Sequence, residues 1–214
     1  MDHSHSKLET TRQSGKTQVD ARRTAILDGA EVLFLQKGLE NTRIIDIAAK
    51  AGISKMSLYR YFPNRDVIAL EIHARMLEKI SALVGPGDLV LSLEKARELA
   101  VQMIRSFPEL REAYRFMGMF DHLYLDIPAD SDLSKQTQSW LRSLQMGGNR
   151  LDEISPDPIH DSRIIMVLST VIWFLEKLAL RGELTWSDKD VPLDEHLNMF
   201  EEMITGYIDR FIEP

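Results

Sequence analysis

The 214-residue chain contains no cysteine. That excludes disulfides and thiolate-ligated zinc, and it leaves the redox compartment unspecified. Long hydrophobic runs are also missing. The most extended apolar stretch, Ile164 to Leu175, is closed by Arg163 and Glu176 and interrupted by Ser169 and Thr170. A bilayer span needs about 20 residues, so this stretch is read as a helix buried on all sides, and no membrane association is expected. Met1 to Gly15 lacks an apolar segment, so no secretory signal is expected and a cytoplasmic protein is. β-Branched residues never alternate with polar ones over a strand's length, and there is no internal repeat.

The chemistry of common enzymes is absent too. There is no HExxH pair and no GxSxG elbow. Gly15-Lys16-Thr17 echoes the end of a phosphate-binding loop, but Thr10 stands where that loop needs glycine and no strand precedes it. The six histidines are scattered, and His122 with Asp126 reads as a surface or capping pair. The chain is therefore expected not to be an enzyme, and no cofactor or metal is expected.

Excess positive charge is missing as well. The net charge of -7 excludes a uniformly cationic nucleic-acid binder. Its distribution matters more than its sum. Residues 1–65 hold 11 Lys/Arg against 7 Asp/Glu, whereas residues 66–214 hold 15 against 26. A basic first third joined to an acidic remainder suggests that only the first third faces a polyanion.

What is present is helical patterning, in an ordinary globular composition of 44% apolar and 28% charged residues. Ile26, Ala30, Leu33 and Phe34 recur at helical spacing, and Gly38 is placed to end that helix. Short helices are expected over 43–51 and 54–62, and a long one from Asn64 to about Leu83. Further helices are expected near 89–106, 109–126, 132–154, 159–181 and 192–212. Prolines lie near these boundaries, where they are tolerated. Residues 1–18 are polar and read as a flexible tail. The fold class is all-α: an N-terminal helix-turn-helix domain over 19–65 and a larger helical bundle over 66–214.

The informative stretch runs from Gly38 to Ile68. Two short helices meet across Ala51-Gly52-Ile53, and Ile44, Ile47, Ile53, Leu58 and Phe62 supply a small common core. In such a plan the second helix enters the DNA major groove. Here its outward residues are Lys55, Met56, Ser57, Tyr59, Arg60 and Tyr61, with no carboxylate among them.

Thr42, Ile44, Asp46-Ile47-Ala48, Ala51-Gly52-Ile53-Ser54, Leu58-Tyr59 and Tyr61-Phe62 resemble the signature of the TetR family of transcriptional regulators. Arg23, Ile26-Leu27, Ala30, Leu33-Phe34 and Gly38 sit at the family spacing upstream. Met56 departs from that pattern, where glycine is common, and Arg65 stands where lysine is usual. The resemblance implies phosphate contacts from Thr42, Ser54, Tyr59, Tyr61 and Arg65. It implies groove contacts from Arg43, Lys55, Met56, Ser57 and Arg60. It also implies a repressor that binds a palindromic double-stranded operator as a homodimer and is released by a small ligand.

Two features of residues 66–214 suit those roles. Met103, Phe107, Tyr114, Met117, His122, Trp140, Leu144, Trp173 and Phe174 are candidate pocket residues for a mostly apolar effector with at most one anionic or hydrogen-bonding end. Leu193, Leu197, Phe200, Ile204, Tyr207 or Ile208, and Phe211 form a stripe that, with the apolar helix before it, reads as a dimer surface within about 159–212. The alternative is a DNA-binding dimer without a ligand, in an architectural or cell-cycle role.

Overall fold

The computed structural model describes residues 3–82, 92–124, 158–181 and 191–212. The helix expected over 132–154, with Trp140 and Leu144, lies outside them. Regular structure among the described residues is helical throughout. It comprises α1 (His3–Lys37), α2 (Ile44–Lys50), α3 (Lys55–Tyr59), α4 (Arg65–Ser81), α5 (Leu93–Arg105), α6 (Phe107–Tyr124), α7 (Pro158–Arg181) and α8 (Leu193–Ile212).

Local chemistry sets the boundaries. Ser92 caps α5, its hydroxyl accepting from Lys95 N–H at 3.1 Å, and Asn64 Oδ1 does the same for α4 from Val67 N–H at 2.9 Å. Pro108 falls in the first turn of α6, where its missing N–H costs nothing. Helix α1 begins far upstream of Val19, so the stretch expected as a tail is drawn as helix from His3. It contains no proline, and Lys7, Leu8, Glu9, Arg12, Gln13 and Lys16 are good helix formers.

The chain divides into two compact units, Met1–Ile72 and His73–Pro214. The division falls inside α4 and later than residue 65. In the first unit Ile26, Ala30 and Phe34 of α1 are fully buried together with Ile47, Leu58, Phe62 and Ile68. Each of the larger of these side chains, the isoleucines, Leu58 and the phenylalanines, contributes about 1.5–3 kcal/mol of burial free energy.

In the second unit α6 packs along α7, and α5 lies against both α7 and α8. Two sequence expectations are corrected here. The α8 stripe is not an outer surface. Leu197, Phe200, Ile204 and Ile208 are buried in this chain, where α8 meets α5. Arg97 donates to Asp209 at 2.8 Å and Arg105 forks onto Glu201 at 2.6 and 3.0 Å across that seam. Nor is the apolar part of α7 buried all round. Ile164, Val167, Val171 and Leu175 face inward, but Ile165, Met166 and Trp173 are exposed. Hydropathy alone cannot phase a helix whose apolar residues cover its whole circumference.

Candidate nucleic-acid interface

Helix α2 ends in a Schellman turn. Ile53 N–H donates to the Ala48 carbonyl at 3.0 Å and Gly52 N–H to that of Ala49 at 3.1 Å. Gly52 takes φ +67°, a left-handed conformation that any Cβ would strain, although space is open around it. The chain leaves this turn extended at Ser54, which caps α3 by accepting from Ser57 N–H at 3.1 Å. This turn fixes the direction of α3.

Arg23 secures the far end of α3. It donates to the Tyr61 carbonyl at 3.0 Å, pairs with Glu71, and lies 4.3 Å from the centroid of the Phe62 ring. Gly29 gives the other close approach. A Cβ there would stand 3.1 Å from Lys50 Cγ, so α1 and α2 meet where a larger residue would intrude. Neither contact is legible as a contact in the sequence.

The outward set is brought together. Lys55, Met56, Tyr59 and Arg60 are exposed along α3 and its last turn, with Met56 at 77%. Ser57 and Tyr61 are half-buried beside them, and Lys55 Nζ sits 5.8 Å from the Tyr59 ring centroid. Arg43 is exposed at the start of α2, 3.4 Å from both Asp46 oxygens. That guanidinium holds the Asp46 carboxyl below the usual carboxylate range, with Lys37 adding to it.

Two expected phosphate contacts are otherwise engaged. Thr42 is fully buried, and its hydroxyl donates to the Gly38 carbonyl at 2.8 Å with that of Leu33 at 3.3 Å. It secures the loop after α1 rather than facing solvent. The Arg65 guanidinium donates to the Glu40 carbonyl at 3.1 Å and reaches Asp66 at 3.5 Å. It ties the same loop to the start of α4. Sequence position alone does not tell which way a hydroxyl or guanidinium turns.

The expected pocket set divides as well. Met103, Phe107, Tyr114 and Met117 are buried together in the second unit. Phe174 is half-buried and stacks on Phe200 at 3.8 Å between centroids. His122 is exposed and Trp173 is 58% exposed, so neither faces the interior. Among the described residues no group of three or more His, Asp or Glu is arranged to hold a metal ion.

Two short helices joined by a tight glycine turn, braced by a long first helix, define a helix-turn-helix DNA-binding module. Residues 26–72 match the model of the bacterial regulatory proteins of the tetR family. The chain is 40% identical over 67 residues to the repressor KstR2 of Rhodococcus jostii strain RHA1, which covers 31% of each chain. It is 37% identical over 106 residues to the regulator RutR of Escherichia coli strain K12, over 48% of this chain and 50% of that one. The chain thus spans about a third and about half the length of these two curated relatives. The fold is similar to a TetR-like regulator from Rhodococcus sp. RHA1, with TM-score 0.55, 20% identity and coverage of 88% and 96%. It is also similar to the ketosteroid regulator KstR2 of Mycobacterium tuberculosis, with TM-score 0.52, 17% identity and coverage of 87% and 94%. The N-terminal unit thus carries a helix-turn-helix region similar to that of the tetR family of bacterial regulatory proteins over residues 26–72.

Proposed function

We propose that the protein is a transcriptional repressor that binds a palindromic operator as a homodimer and is released from it by a small ligand. One observation carries this reading: a carboxylate-free run from Lys55 to Tyr61, with Lys55, Met56, Tyr59 and Arg60 exposed, set at a fixed angle by the Gly52 turn and the Ser54 cap. Lysine and arginine there suit phosphates and guanine edges, and the serine and tyrosine hydroxyls suit phosphates. Arg43 exchanges Asp46 for a base edge or a phosphate on binding.

The dimer uses the outer faces of α7 and α8. Trp173 on α7 and Met199 and Met203 on α8 are 58%, 61% and 59% exposed, large apolar side chains that a second copy would cover. In a symmetric dimer the two α3 helices must stand about 34–36 Å apart to enter successive major grooves. Helix α4 runs through the division between the two units. A ligand that favours one arrangement of the C-terminal helices thereby changes that spacing, provided it binds the two arrangements with different affinity.

Sedimentation tests the assembly. The unmodified chain should be a dimer at micromolar concentration. Replacing Met199 and Met203 together by Glu should yield a folded monomer with weakened operator binding. A folded monomer from the unmodified chain contradicts the reading.

A further inference from the structure

The C-terminal unit buries oxygen atoms that make no hydrogen bond among the described residues: Tyr114 Oη and Asp121 Oδ1 on α6 and Glu176 Oε1 on α7. Tyr114 is fully buried and Glu176 is 5% exposed. A buried polar group without a hydrogen bond destabilises the fold, and more so if charged. The fold does not let Glu176 escape. α6 and α7 cross at Gly118, where a Cβ would lie 3.2 Å from Glu176 Cβ and 2.9 Å from Leu180 Cδ1.

The imbalance has a sign. Burial pushes the Glu176 carboxyl up to about 8, the Asp121 charge adds to that, and Lys177 opposes it. Burial, with the Glu176 charge, raises the Tyr114 hydroxyl as well. On the other side His73 Nε2 lies 3.7 Å from Asp121 Oδ1. Two carboxyl groups, Glu176 and Asp121, thus stand against one imidazole, His73, and the cluster is short of positive charge.

Its surroundings are aromatic. Phe120 lies 4.2 Å from His73 and 4.6 Å from Tyr124 between centroids, and Phe107 lies 5.9 Å from Tyr114. Ring faces attract cations, and the carboxylates do not converge on a metal site among the described residues.

We propose that the α6–α7 seam binds an organic cation, a primary amine on an apolar frame, whose ammonium donates to Glu176 and Tyr114. This rests on the reading of the C-terminal unit as ligand-responsive. It replaces the anionic end that the sequence allowed with a donor end.

Calorimetry on the full-length chain tests it with three probes of one frame: naphthylmethylamine, naphthoate and naphthylmethanol. The amine should bind about tenfold or more tightly than either of the others, as expected for a charge-assisted contact. Glu176→Gln, which keeps the side chain's shape, should reduce amine affinity about tenfold and change alcohol affinity by less than about twofold. Tyr114→Phe should cause a smaller loss in the same direction. A preference for naphthoate, no binding of the amine, or unchanged amine affinity in Glu176→Gln overturns the inference. Operator affinity followed in the same titrations separates the two readings. Amine binding through Glu176 without operator release leaves this site standing and overturns release by ligand. Operator release by naphthoate alone does the reverse.

Discussion

In the N-terminal unit the polar side chains from Ser54 to Tyr61 face outward or lie half-buried, while Ile47, Leu58 and Phe62 close the core beneath them. In the C-terminal unit Tyr114 Oη and Glu176 Oε1 turn inward and make no hydrogen bond among the described residues, while Trp173, Met199 and Met203 face out. The first arrangement is what a rigid reading head needs. Its donors are presented by a scaffold whose own hydrogen bonds are made by Arg23, Thr42 and Arg65. The second leaves buried oxygens without a hydrogen bond among the described residues and large apolar side chains at the surface. The difference separates a region whose polar groups are satisfied within it from one that the proposed ligand and second copy would complete.

That contrast can be broken in steps. The largest effect is expected at Phe62, fully buried under Arg23 in a small core. Phe62→Ala should cost about 3–5 kcal/mol. In a urea titration the N-terminal unit should then unfold before the C-terminal one, and a single unchanged transition would contradict its separate core.

Next comes Glu176. Its folded value of about 8 lies above the ordinary 4.5, so the folded state holds a proton that the unfolded state has released between those values. The stabilisation is therefore present below pH 4.5 and lost as pH rises through about 8. Glu176→Gln should be the more stable chain at high pH, by an amount on the order of a few kcal/mol. Urea midpoints of both chains across that range check the sign, and parallel pH profiles would place Glu176 in water.

The smallest effect is expected at Gly52. With open space around it, Gly52→Ala pays only for φ +67°, about 1–2 kcal/mol. If the turn aims α3, operator affinity should fall by more than this loss of stability explains. A stability loss with unchanged DNA affinity would separate the turn from the reading function.

Much of the first unit was legible in the sequence. Gly38, Gly52, Ser54 and Asn64 act through local backbone geometry, which short spacing reports. The outward residues of α3 follow from the 3.6-residue period. Thr42 and Arg65 turn toward carbonyls at and beyond the end of α1, a non-local choice that sequence spacing does not report.

The second unit was legible as helices but not as faces. Leu197 and Met199 are equally apolar in the sequence, yet the first is buried on the α5 side and the second faces out. Trp173 and His122 were placed inside by residue type alone, and both lie at the surface. Glu176 read as the charged end of an apolar run, and only the crossing at Gly118 shows that it is enclosed.

The central claim is that residues 43–61 present a sequence-reading surface. It is tested most directly by titrating the full-length chain with the best duplex from a genomic selection and with a random duplex, across a range of salt. The account predicts that both affinities fall with salt while the selected duplex stays about a thousandfold or more tighter at physiological salt. Arg43→Ala should narrow that ratio by about 1–3 kcal/mol. Equal affinity for the two duplexes at every salt concentration would contradict it.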